Sequence, residues 1–206
     1  MVRVPEDYCV DSTEVTRGTY EAWRTSSGVL TSHASCAWKV GVINAAAAGA
    51  EGLPAVSIDW CDAVSFCEGM GKRLCGRIGG GANSQADVFD STLSQWFNAC
   101  SSHEQYDYQY GDTFDSTACN AAGGVGEVIE PASRETCQSP DLAYAGIFDL
   151  SGNVWEWEDS CAAAGQSAAC WIRGGDWLSG VDSACGVSSQ ARSTRGAQTG
   201  FRCCAD

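Results

Sequence analysis

Histidine is nearly absent from these 206 residues, which hold only His33 and His103. No CxxC pair occurs either, which argues against a zinc site of ordinary ligand spacing. Basic residues are few: 12 against 26 acidic, for a formal net charge of −14. Such a surface repels phosphate backbones and anionic bilayers, which argues against a nucleic-acid partner and against direct membrane insertion. No apolar run reaches the length of a membrane span, and no secretory leader is recognisable. No repeat of fixed period appears, which leaves out solenoids and propellers.

What the chain has in quantity is cysteine, tryptophan and glycine, at 13, 8 and 24 residues. Large rings that fill space and glycines that shape turns suit a loop-rich fold. Thirteen cysteines without metal spacing read as several disulfides in an extracytoplasmic protein, secreted or cell-surface, with at least one thiol left over. Cys161 and Cys170 bracket a small-residue loop that they could close. Cys203 and Cys204 are adjacent in an expected strand, so they face opposite ways and need different partners. The remaining connectivity is open. Met1 abuts Val2 to Pro5, which already reads as the first strand, so the expectation is a mature domain whose export signal lies outside this sequence. The alternative is a cytosolic protein with reduced cysteines.

Val2 to Val10 reads as a strand. Thr16 caps a helix to Thr25 that carries Tyr20 and Trp23 on one face. Ser26 to Pro54 is rich in Ala, Gly and Ser and reads as a long loop. Asp59 caps a second helix with Ala63, Val64, Cys67 and Met70 at helical spacing, stopped by Gly69 and Gly71. A further helical signal runs from Ser91 to Ala99 and includes Trp96. The triple glycine at 79–81 lacks GxxxxGK(S/T) spacing and is not a phosphate loop. Tyr106, Tyr108 and Tyr110 alternate and could line one face of a strand. Short strands are expected at 147–150, 154–158, 171–174 and 200–204. Helices early and strands late indicate α+β.

The densest chemistry lies in Gly146 to Asp159, GIFDLSGNVWEWED. A Gly-Asn turn offers carbonyls, and Asp149 and Glu156 offer hard carboxylate oxygens, a combination that suits calcium. Taken alone it reads equally well as a buried aromatic turn. In order along the chain stand EVT (14–16), VSIDWCDA (56–63), GKRL (71–74), GNVWEW (152–157), RGG (173–175) and GFR (200–202). As a set these resemble the formylglycine-generating enzyme family, the sulfatase-modifying factors, from about residue 2 to the end. The resemblance implies one domain over 1–206 with a C-type-lectin-like fold of low regular content. It would have two helices, short antiparallel strands and neighbouring termini.

The resemblance also implies a chemistry to look for: two cysteines, five residues apart after RGG, that bind copper and activate oxygen. Counting from RGG to Ala191-Arg192-Ser193 places those positions on Ser179 and Ala184, with Cys185 one residue away. A hydroxyl is a hard, poor ligand for Cu(I). Copper and the oxidase activity are therefore not expected, no catalytic residue is assigned, and Cys185 is read as a disulfide partner. The family's structural calcium site maps to Asp149, the carbonyls of Gly152 and Val154, and Glu156. A second site would begin at Asn120, with no identifiable partners.

Between Trp177 and Thr199 the chain is polar and rich in small residues. In the resembled fold this segment lies on the ligand face, and certain members of that architecture are variable proteins of diversity-generating retroelements. The expected function is a non-catalytic, calcium-stabilised recognition domain, monomeric, for a protein or glycan ligand. Its surface would be Trp177, Ser179, Asp182, Ser183, Ser188, Gln190, Ser193, Thr194 and Arg195, a composition closer to an adaptable paratope than to a catalytic pocket. Two alternatives stand beside it: a family enzyme with altered chemistry, either copper-dependent through Cys185 and another thiol or acting on a different substrate, and a structural module of a larger exported protein.

Overall fold

A computed structural model describes residues 1–45 and 50–206. The first helix, α1 (Arg17–Ser26), starts where the Thr16 hydroxyl accepts from the amide of Thr19, and it buries Tyr20 and Trp23. The second, α2 (Trp60–Gly69), opens on a capping box: Asp59 accepts from the Asp62 amide and the Asp62 carboxylate accepts from that of Asp59. Lys39 pairs with both carboxylates. Met70, expected on the buried face of this helix, instead lies beyond its end and is 46% exposed. A third helix, α3 (Gln95–Ser101), follows the cap Ser94 and buries Trp96, so the α-helices among the described residues number three rather than two.

The strands are short and form two four-stranded sheets. The first sheet takes β1 (Val2–Arg3), β2 (Cys9–Val10), β8 (Cys203–Ala205) and β3 (Arg73–Leu74) in that spatial order. The single strand expected over 2–10 is thus a hairpin, turned at Asp7 with φ +68°. Pairing of Cys9 with Ala205 brings the two termini together, as the resemblance implies. The second sheet runs β6 (Val187–Ala191), β5 (Ala169–Arg173), β4 (Trp155–Cys161), β7 (Thr199–Gly200). The β4–β7 pairing is parallel, a departure from the antiparallel expectation.

Two other strand expectations fail for local reasons. Residues 147–150 form no strand: the amides of Phe148, Asp149 and Leu150 donate to the Ser12 carbonyl, the Cys137 carbonyl and the Gln109 side chain. Residues 200–204 divide between β7 and β8, because the chain crosses there from one sheet to the other. Tyr106 to Tyr110 is not a strand either; Tyr108 and Tyr110 stack with ring centroids 5.4 Å apart.

Six disulfides tie these short elements: Cys36–Cys61, Cys67–Cys203, Cys75–Cys204, Cys100–Cys185, Cys119–Cys137 and Cys161–Cys170. Cys203 and Cys204 do take different partners, and Cys9 is the leftover thiol. The bridges fit an oxidising, extracytoplasmic compartment. Among the described residues no helix is long and apolar enough to cross a membrane. One core cluster packs Tyr20, Trp23, Phe66 and Phe201 ring against ring between α1 and α2. The other gathers Tyr8, Trp96, Tyr144, Ile147 and Leu150 around α3.

Candidate functional site

Strand β4 places Glu156 and Glu158 on one face and Trp155 and Trp157 on the other, by the two-residue period of a strand. Both acids are buried, and each meets an arginine from another motif. The Arg202 guanidinium donates to both oxygens of Glu156, Nε to Oε2 at 2.8 Å and Nη2 to Oε1 at 2.6 Å. It also donates to the carbonyls of Asp11 and Phe148. Arg173 lies 3.6 Å from Glu158, whose other oxygen accepts from Ser94 at 2.9 Å. Between the pairs stands Trp96. Its indole N–H donates to Glu156 at 2.8 Å, and its ring carries the Arg173 guanidinium at 4.9 Å. The WEWE run, RGG and GFR are therefore one buried ionic core.

The Gly-Asn turn before β4 ties in the middle loop. Gly152 has φ +90°, and a Cβ there would stand 2.3 Å from the Asn120 carbonyl oxygen, so only glycine fits. Asn153 donates to Glu14 at 2.8 Å and to the Ile129 carbonyl, and accepts from Asn120 at 3.0 Å. Asn120, the residue at which a second calcium site would begin, donates from Nδ2 to Asn153 and to the Glu127 carbonyl, while its Oδ1 is buried without a partner.

These contacts test the expected calcium ligands. Arg202 and Trp96 together occupy both oxygens of Glu156 and set a positive charge against it. Asp149 accepts from the Ala132 amide through Oδ2, while its Oδ1 is buried without a partner. Asp149 is pushed up to about 6, first by burial and further by the Glu156 charge. Among the described residues no three His, Cys, Asp or Glu side chains converge on a common cation position. Of the expected ligands, Asp149 thus keeps a buried oxygen without a partner, as Glu14 beside it does, whereas both Glu156 oxygens already accept from Arg202 and Trp96.

The positions expected to carry the family's thiols are equally occupied. Ser179 donates from Oγ to Asp176 at 2.8 Å and accepts from the Asp176 amide at 3.0 Å. Cys185 is bonded to Cys100. Among the described residues Cys9 is the one unbridged cysteine.

The expected recognition residues do not form one patch. Asp182 and Ser188 are exposed and share a concavity of about 410 Å³. Trp155, Val181, Ala184, Gly186 and Val187 complete its wall. Trp177 and Ser179 are half-buried beside it. Ser183 is fully buried, its hydroxyl on the Gly180 carbonyl, and cannot meet a ligand. Gln190 bonds to Thr199 at 3.0 Å. Ser193 and Thr194 lie at the far end of β6, where Arg195 donates to the carbonyls of Ser57 and Asn44. Trp155 and the apolar Val181 and Val187 were not foreseen as lining. The only hint of Trp155 in the sequence is its place in WEW, one residue out of phase with the buried acids.

Buried Arg–Glu pairs linking motifs from across the chain, few regular elements and adjacent termini define an α+β fold of the formylglycine-generating-enzyme type. The chain belongs to that family: it matches the sulfatase-modifying factor enzyme 1-like domain over residues 1–206. It is 29% identical over 168 residues to the inactive C-alpha-formylglycine-generating enzyme 2 of Bos taurus, covering 73% of this chain and 50% of that one. The Mus musculus protein of the same description is 30% identical over 169 residues, at 73% and 48% coverage. The chain thus spans about half the length of the curated relatives it matches. Among solved structures, PvdO from Pseudomonas aeruginosa superposes with a TM-score of 0.67 at 19% identity, over 97% of this chain and 80% of that one. Treponema denticola variable protein 1 does so at 0.62 and 16%, over 96% and 84%. At these identities the likeness is one of fold.

Proposed function

We propose that this chain is a non-catalytic recognition domain of an exported protein and that it binds a protein or glycan through the face built by residues 177–199. One observation carries the reading. The two positions where the family's oxygen chemistry needs thiols hold a serine tied to Asp176 and an alanine, and the adjacent Cys185 is closed in a disulfide. The name inactive given to the curated relatives agrees with it, and the likeness to a variable protein suits a fold reused for recognition. The binding face narrows to the concavity around Asp182 and Ser188, with Trp155 as its aromatic wall. Arg202 compensates Glu156 in the core, so the binding face itself, and not a metal, carries the proposal.

Two measurements test it. Purified protein given copper and a cysteine-containing peptide is expected to consume no oxygen; turnover would end the non-catalytic reading. On a glycan and protein array, Ser188→Arg is expected to abolish whatever binding the parent chain gives. Binding unchanged by that substitution would place the ligand elsewhere. A second reading, docking against another domain of a longer chain, is favoured by Leu178 and Val181, which are 58% and 67% exposed on the same face.

A further inference from the structure

A second cavity, of about 430 Å³, lies on the other side of the 184–186 segment. Four aromatic rings line it: Phe89, Phe97 from α3, Tyr106 and Tyr108. Three carboxylates, Glu104, Asp107 and Asp112, stand at the same cavity, and no lysine or arginine does. Glu104 accepts from the Ser91 amide and Asp112 from the Asp107 amide. Neither of them, nor Asp107, meets a cationic side chain among the described residues.

The walls are held in place without a ligand. The Cys100–Cys185 bridge joins α3 to the segment behind the cavity. The Cys185 amide donates to the Asp107 carbonyl at 2.8 Å. Tyr108 donates to the Val181 carbonyl at 3.1 Å and stacks on Tyr110. Phe89 and Phe97 meet edge to face at 5.6 Å. These two rings already take a guanidinium, that of Arg173, at 5.4 and 5.5 Å from a position outside the cavity lining.

The geometry points to a binding site for an organic cation, an ammonium or guanidinium head, in this aromatic and acidic cavity. Ring faces attract a cation through their quadrupole, and the uncompensated carboxylates add Coulomb attraction. Anions are repelled by the same charges. Calcium would need six to eight oxygens converging on one point, and among the described residues no three His, Cys, Asp or Glu side chains do so. The volume lies in the range of small-molecule sites. The inference goes beyond the recognition reading above and shares with it only the backbone from Ala184 to Gly186. The cation can be free or the side chain of a partner; the chemistry is common to both.

Titration calorimetry on the full chain tests this with choline, N-acetyl-lysine amide and the neutral choline isostere 3,3-dimethylbutanol. Choline or the lysine amide is expected to bind at least about tenfold more tightly than the neutral isostere. Preference for choline points to a free quaternary amine, and preference for the lysine amide to a partner's side chain. Tyr106→Leu and Asp107→Asn are each expected to weaken the cation about two- to fivefold, the size of an exposed cation–π or charge contact. Ser188→Arg, in the neighbouring concavity, is expected to leave cation binding unchanged, so the two sites fail separately. No heat with either cation, equal binding of the neutral isostere, or unchanged affinity in both cavity variants would overturn the inference. Circular dichroism of Asp107→Asn excludes misfolding as the cause, since its side chain holds no structural contact among the described residues.

Discussion

Arg202 is a fully buried charge that survives because four acceptors surround it: two Glu156 oxygens and the carbonyls of Asp11 and Phe148. Removing one partner of such a pair strands the other in a medium that cannot solvate it. Arg202→Met is expected to destabilise by about 3–5 kcal/mol in urea unfolding. The double variant Glu156→Gln/Arg202→Met is expected to cost less than the single one, since the Glu156 charge is then not stranded. Chelation with EDTA is expected to leave the melting temperature where it was. A fall on chelation, restored by calcium, would return the metal to this turn. At this scale Glu156 was legible in the sequence as a functional-looking acid. Its partner was not, because Arg202 lies far along the chain and nothing local in WEW says which charge will meet it.

The elements were the easiest part to read where their signals are local. Thr16 and Asp59 cap the helices expected of them, since capping depends on one hydroxyl or carboxylate and an amide three residues on. Thr16→Ala is expected to cost about 1 kcal/mol, read as a shift in the unfolding midpoint with unchanged slope. Strands were harder. The two- and three-residue pieces of the first sheet carry no period long enough to detect, and they exist because partners from both ends of the chain meet there. Residues 147–150 show the converse: their apolar look comes from burial, while their amides are satisfied by loops and a glutamine rather than a ladder. The recognition segment divided for a similar reason. Ser183 and Ser188 look alike in sequence, but one is buried in a helical turn and the other lies on the edge strand β6.

The molecule as a whole depends on cross-links more than on regular structure. Cys67–Cys203 spans 136 residues and Cys161–Cys170 only 9. On a chain-entropy argument the long closure contributes about 5 kcal/mol and the short one about 3 kcal/mol. Replacing both cysteines of the first pair by alanine is therefore expected to lower stability more than replacing those of the second, measured by equilibrium unfolding. Acidity is the other global feature. Burial, with Asp59 beside it, pushes Asp62 up to about 7; burial, with Glu158 beside it, pushes Asp159 up to about 6. Both groups hold a proton more tightly folded than unfolded, so their contribution to stability is largest in acid and declines as pH rises toward 7. Unfolding midpoints are expected to fall between pH 5 and pH 7.5, and Asp159→Asn is expected to flatten that slope.

By itself the sequence determined the family, the α+β class, two helix caps, the absence of paired thiols after RGG, and the need for disulfides. Each of these follows from residue identity or from spacing within one turn of chain. Only the tertiary structure decided which cysteines pair, that the two glutamates of WEWE take the arginines of GFR and RGG, and that an aromatic, acidic cavity opens beside Cys185. The reason is physical: caps and motifs act over three or four residues, whereas charge compensation and cavity walls are made by segments brought together when the chain returns on itself.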